Sequence, residues 1–257
     1  MVTANYIARG VGPTVIFLHG IGGGAESFSN QLNRFAEAGY RAVAWNMPGY
    51  GGSAPQADMT FPALADALLG LFDGLSLETA HVVGHSIGGM VLQQFARAHQ
   101  TRLASMVLAQ TSPAFGNPDG EFQQKFVAAR LAPLEAGQTM AEVAVDVVSE
   151  LVGDSALPES MAFAESCMSK VPPDVYGATI HSLVTFEGRD ALPDIQVPTL
   201  VLAGEQDTNA PAGMMERMAS KIAGAEYVCL SSAGHLANIE VAEAFNWVVL
   251  DFISRHR

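Results

Sequence analysis

Cysteine, basic residues and long apolar runs are all scarce in this 257-residue chain. Two cysteines, Cys167 and Cys229, allow one bridge at most and fall outside metal-ligand spacing, so neither a disulfide framework nor a thiolate metal centre is expected. Both read as reduced packing residues of a cytoplasmic protein. Lys and Arg number 13 against 26 Asp and Glu, a formal net charge of −13. A field of that sign repels phosphate backbones and anionic lipid, which argues against nucleic-acid and membrane partners. The longest apolar runs, such as residues 15–18 and 199–203, are strand-sized and too short to cross a bilayer. Residues 1–5 read MVTAN, with no basic stretch followed by an apolar one, so no secretory leader is expected. No His, Cys or acidic residues are grouped at ligand spacing, and no metal is expected. Internal repeats and low-complexity tracts are absent too.

What the chain does have is apolar residues, 49% of the total against 15% charged, enough for a large core. Their pattern alternates between two periods. Strand-like runs end at Leu18, Trp45, His85 and Ala109, each followed by turn residues. Helical periodicity falls at 29–38, 60–71, 89–99 and 241–253, with Phe61, Leu64, Ala65, Leu68 and Leu69 sharing one face of the second. Alternating β and α signals predict an α/β fold with a doubly wound, mostly parallel sheet. From residue 113 to about 190 the pattern is helical only, and 12 acids there face 4 bases. This helical insertion divides the core into residues 1–112 and 191–257, and it is expected to cover the carboxyl edge of the sheet.

The chemistry is concentrated at that edge. Gly84-His85-Ser86-Ile87-Gly88 joins an apolar strand to an apolar-periodic helix. A serine in so sharp a turn is forced into a strained backbone with its hydroxyl presented above the sheet, and the flanking glycines avoid a Cβ clash. Asp207 follows the strand at 199–203, and His235 follows the strand at 226–230. The order Ser, Asp, His is the order this architecture uses to activate a serine, with the imidazole taking the hydroxyl proton and the carboxylate fixing its tautomer. Glu205 is the rival acid, but it lies closer to the strand. Two preorganised amides must meet the oxyanion. Ile87, directly after the serine, supplies one. The other is assigned to Ile21, with Gly22 as the alternative, in the glycine-rich loop His19-Gly20-Ile21-Gly22-Gly23-Gly24. His19 is read as a prop for this loop. His85 is read as pointing away from the chemistry.

On Phe17-Leu18-His19-Gly20, Asn46-Met47-Pro48-Gly49-Tyr50-Gly51-Gly52-Ser53, the motif around Ser86, Gly204-Glu205-Gln206-Asp207 and Gly234-His235, the chain resembles the α/β-hydrolase superfamily over nearly its whole length. Its histidine segment, from Gly234 to Glu240, and Asp190-Ala191-Leu192-Pro193-Asp194-Ile195 are most similar to the 3-oxoadipate enol-lactonase group. The resemblance implies a four- or five-helix cap and cofactor-free hydrolysis of an ester or lactone. Three features depart from it. Asn46 stands where Asp is usual, in a structural position. Only Asn5 to Arg9 precedes the first core strand, so the usual N-terminal strand is expected to be missing. An enol-lactonase needs a cation for its carboxylated substrate, and the insertion offers Lys125, Arg130, Lys170 and Arg189 alone, with Arg189 expected to pair structurally with its neighbour Asp190.

The expectation is therefore a serine hydrolase of a small-molecule carboxylic ester or lactone, with Ser86, Asp207 and His235 catalytic and no cofactor. The alternatives are carbon–carbon cleavage of a ring-fission diketone, or a ligand receptor or lyase on the same fold. Leu236 stands where the carbon–carbon hydrolases carry an aromatic residue. The substrate wall is assigned to Gly22, Phe115, Phe126, Phe186 and Leu236, with further cap contributions from Phe122, Met140, Met161, Phe163 and Met168. With few cap cations and a net −8 around the approach, the preferred substrate is expected to be small and neutral.

Overall fold

The computed structural model describes residues 5–117 and 119–256; residues 1–4, read above for a leader, lie outside the described residues. Thr14–Leu18 (β2), Arg41–Asn46 (β3), Ala80–His85 (β4), Leu103–Ala109 (β5), Thr199–Gly204 (β6) and Glu226–Leu230 (β7) form a parallel array. Asn5–Arg9 (β1) is itself a strand, antiparallel to β3, with Tyr6 opposite Trp45. The seven-stranded order is β1-β3-β2-β4-β5-β6-β7. Among the described residues the sheet starts on this antiparallel edge strand.

The central strands are apolar on both faces because both faces are covered. Along β2, Ile16 and Leu18 face one core and Val15 and Phe17 the other; β5 divides in the same way, with Met106 and Leu108 opposed to Val107 and Ala109. Phe61–Gly74 (α2), Ile87–His99 (α3) and Ala212–Ala219 (α8) pack on the first face, while Ser29–Glu37 (α1) and Ala242–Ser254 (α10) pack on the second. Burial at 0–1% for Phe17, Phe28 and Phe35, with ring centroids 5.1 Å apart in two of the pairs, makes the second core a close-packed aromatic cluster.

Between β5 and β6 the chain forms Glu121–Glu135 (α4), Met140–Leu151 (α5), Pro158–Met168 (α6) and Pro173–Leu183 (α7). Their starts are legible locally: Thr139 and Glu142 form a reciprocal capping box on α5, and a proline opens both α6 and α7. Arg189 pairs with Glu187 rather than Asp190; Asp190 is held by Arg97. A short helix, Ala237–Glu240 (α9), follows the histidine loop. No described helix is long and apolar enough to cross a membrane.

Candidate active site

At the end of β4 the chain turns directly into α3 through Ser86, which has φ 54° and ψ −122°. That conformation is strained for a residue with a side chain, and the neighbours enforce it. A Cβ on Gly84 would lie 2.6 Å from the Gly88 carbonyl oxygen, and one on Gly88 would lie 2.4 Å from that of Leu18. The Ser86 amide donates to Ala109 at 3.0 Å, and its carbonyl accepts from the Thr111 hydroxyl at 2.7 Å. The side chain is thereby left facing the cavity.

Three sequence-assigned residues meet there. Ser86 Oγ lies 2.9 Å from His235 Nε2, and His235 Nδ1 lies 2.8 Å from Asp207 Oδ2. The second Asp207 oxygen accepts from the Asn209 and Ala210 amides at 2.8 and 2.9 Å. Burial pushes the Asp207 carboxyl up, but His235 and these two amides outweigh it and hold it below its ordinary value. An ionised Asp207 fixes the proton on Nδ1 and leaves the Nε2 lone pair toward Ser86.

The glycine loop after β2 forms the facing wall. His19 Nε2 accepts the Met47 amide at 3.1 Å, so Nδ1 donates to the Gly20 carbonyl at 2.8 Å. Burial lowers the His19 pKa to about 4, which keeps it a neutral strut. Asn46 ties the same loop to the turn after β3, accepting from the Ala25 amide at 2.7 Å and donating to the Gly51 carbonyl at 3.2 Å. Aspartate could make only the first of these bonds. The Ile87 amide opens α3, where a helix offers no internal acceptor. Neither it nor the Ile21 amide donates to another described main-chain group.

A cavity of about 120 Å³ lies over Ser86 and His235. Ile21, Gly22, Phe115, Phe126, Met168 and Leu236 line it. Phe186 does not: it is buried against Phe61 with ring centroids 4.5 Å apart, and its carbonyl holds the Phe115 and Gly116 amides. The reason is that residue 186 lies beyond α7 on the segment that returns to β6, where Glu187 bridges Ala114. Phe122 is 66% exposed, Met140 joins the main core, and Met161 and Phe163 pack in a satellite cluster with Ile239.

Two residues given no site role above also stand at the cavity. Arg130 of α4 lines the cavity, its Nη1 3.0 Å from Glu150 and its guanidinium carbon 5.6 Å from the Phe126 ring centroid. Of the few cations that the insertion offers, this one reaches the cavity; α4 has no fully buried residue, so nothing in its periodicity marks which face turns inward. His85 is the second. Its Nε2 donates to the His235 carbonyl at 2.7 Å, and burial, reinforced by His235, lowers its pKa to about 3. Among the described residues, no three His, Cys, Asp or Glu side chains are grouped to hold a metal.

Known proteins agree with this architecture. A hydrolase of Pseudomonas putida named for 2-hydroxy-6-oxononadienedioate and 2-hydroxy-6-oxononatrienedioate is 30% identical, over 93% of this chain and 87% of its own. A thermophilic esterase from Thermogutta terrifontis superposes with a TM-score of 0.89 at 26% identity, covering 99% of this chain and 94% of that one. The enol-lactonase of Burkholderia xenovorans LB400 gives 0.88 at 25% identity, over 98% and 96%. The family model for the alpha/beta hydrolase fold matches residues 13–242, and the chain belongs to that family of hydrolases.

Proposed function

We propose that the protein is a cofactor-free serine hydrolase that cleaves a small carboxylic ester or lactone through an acyl-enzyme on Ser86. The observation that carries this reading is the unbroken chain from Ser86 Oγ to His235 to Asp207, at 2.9 and 2.8 Å, opening on a largely apolar cavity. His235 Nε2 takes the hydroxyl proton as Oγ attacks the carbonyl carbon. The oxyanion is met by the Ile21 and Ile87 amides. Collapse of the tetrahedral intermediate expels the alkoxide, which takes the proton from His235. Water then attacks the acyl group by the same route, His235 returns a proton to Ser86, and the acid leaves.

The test is turnover of p-nitrophenyl acetate and a lactone panel by the wild-type protein and by Ser86→Ala. A loss of about 10³-fold or more in kcat with folding intact is expected. Full activity in the variant would remove Ser86 from the mechanism.

A second reading is carbon–carbon bond hydrolysis of a ring-fission ketone bearing a carboxylate. Arg130 on the cavity wall favours it, because a buried carboxylate needs a cation to offset lost hydration. A ring-fission ketone bearing a carboxylate separates the two: its hydrolysis, lost in Ser86→Ala and in Arg130→Gln and without turnover of esters or lactones, supports the second reading, whereas turnover of esters or lactones alone supports the first. Within the first, a matched pair of monoesters, one with a free carboxylate and one as its methyl ester, reads the pocket: a tenfold preference for the charged member, about 1.4 kcal/mol, makes the substrate a carboxylated ester or lactone in place of a neutral one.

A further inference from the structure

We propose that Glu240 is a positioning residue for His235, holding the main chain on both sides of the imidazole and tying it to the cap. The proposal rests on the serine-hydrolase reading above. Asp207 and Glu240 are the buried carboxylates among the described residues, and Glu240 does not line the cavity. Its bonds all go to main-chain amides. Oε1 accepts from Leu236 at 2.8 Å, while Oε2 accepts from Gly234 at 2.9 Å and from Gly153 at 2.7 Å. Both oxygens are acceptors toward backbone N–H groups, and they grip the residues immediately before and after the histidine.

The remaining main-chain groups of His235 are tied as well. Its amide donates to the Leu151 carbonyl at 2.7 Å, and its carbonyl accepts from His85 Nε2 at 2.7 Å. Leu151 ends α5 and Gly153 lies in the turn beyond, so this grip joins the cap hairpin to the histidine loop. The backbones meet without room for side chains: a Cβ on Gly234 would lie 2.4 Å from the Leu151 carbonyl oxygen and 2.5 Å from the Gly153 nitrogen. Proton transfer demands that the imidazole keep both its Ser86 and its Asp207 contacts, and a displacement of about 1 Å can cost about 10²-fold in rate. A buried carboxyl group outside the cavity, bonded to the amides on either side of that histidine and to Gly153, supplies this constraint.

The test compares Glu240→Gln and Glu240→Asp with Ser155→Ala. The Ser155 hydroxyl donates to the Ser232 carbonyl at 2.7 Å, so its loss loosens the same cap contact without touching the histidine's own bonds. Active sites are counted with a fluorophosphonate, and kcat is expressed per titrated serine. Glu240→Gln, with an NH2 in place of one acceptor oxygen, is expected to lose about 10²-fold in kcat per site with KM for p-nitrophenyl acetate unchanged. Glu240→Asp, which keeps the carboxyl group on a shorter arm, retains more, and Ser155→Ala retains wild-type kcat. Wild-type kcat per titrated site in Glu240→Gln, whatever its melting temperature, reduces Glu240 to a stabilising residue and overturns the proposal. If Glu240→Gln does not fold, Glu240→Asp is read by the same criterion. Failure of the fluorophosphonate to label Ser86 in the wild type removes the serine-hydrolase reading instead, so the two failures are distinct.

Discussion

Holding a serine at φ 54° and ψ −122° costs on the order of 1–3 kcal/mol, and it persists because alternatives are closed by close backbone contacts. Gly88 is the sharpest point of that constraint. Gly88→Ala would drive a Cβ to 2.4 Å from the Leu18 carbonyl oxygen, displacing the loop that carries the Ile21 amide. Destabilisation of about 1–3 kcal/mol, read by urea unfolding, should accompany a loss of esterase activity greater than the fall in stability explains. His19 and His85 set a second residue-level expectation. Burial lowers their pKa to about 4 and about 3 from the ordinary 6.5, so below pH 6.5 the unfolded chain binds protons that the folded chain does not. Their stabilising contribution is complete above pH 6.5 and is lost as pH falls toward their folded values. By pH 5 each should remove about 2 kcal/mol. Urea unfolding at pH 8 and pH 5 measures this, and His85→Gln should remove about half of the acid-induced loss. An equal loss in that variant would show that His85 is not carrying it.

At the scale of elements, what could be read from the sequence followed from burial. β2, β4 and β6 lie between two helical layers and are buried along their length, so β2 and β6 read as apolar runs and β4 as the apolar pair Val82-Val83 leading into the serine turn. β7 is only partly buried, but Tyr227-Val228-Cys229-Leu230 still reads as a strand ahead of His235, so Ser86, Asp207 and His235 could be placed at one edge without knowing how the inserted helices pack. β1 has the opposite character. As an edge strand with its burial limited to Ile7, it shows no apolar alternation, and the segment was legible only as the stretch ahead of the first core strand. The cap is the other gap. α4 and α6 have weakly one-sided sequences, with no buried residue in α4 and three in α6, because helices around a cavity are apolar toward two surfaces at once. Arg130 of α4 could not be assigned to the cavity for this reason, while Phe186 was misplaced because it lies beyond α7, on the segment that returns to β6. The starts of the inserted helices are nonetheless local. Thr139→Ala should cost about 1 kcal/mol through loss of the capping box on α5. Thermal unfolding monitored by circular dichroism would detect it.

For the whole molecule, a net charge of −13 surrounds a cavity whose wall carries one guanidinium, that of Arg130, already paired with Glu150. The two act on different steps. The global field slows the approach of anions and is screened over about 8 Å at physiological salt, whereas the short-range pairing inside the cavity is screened far less. For an anionic ester, kcat/KM should rise with added salt, while that of its neutral analogue stays level. A salt-independent ratio between the two would show that the surface charge does not face the entrance. The central claim is narrower and can be tested directly: Ser86, activated by His235, is the nucleophile of this hydrolase. The measurement is stoichiometric inactivation by a fluorophosphonate followed by peptide mass mapping. One adduct per chain on the peptide containing Ser86, formed in step with loss of activity and absent from Ser86→Ala, is the expected result. Inactivation with the adduct on any other residue, or an active protein with Ser86 fully labelled, would contradict it.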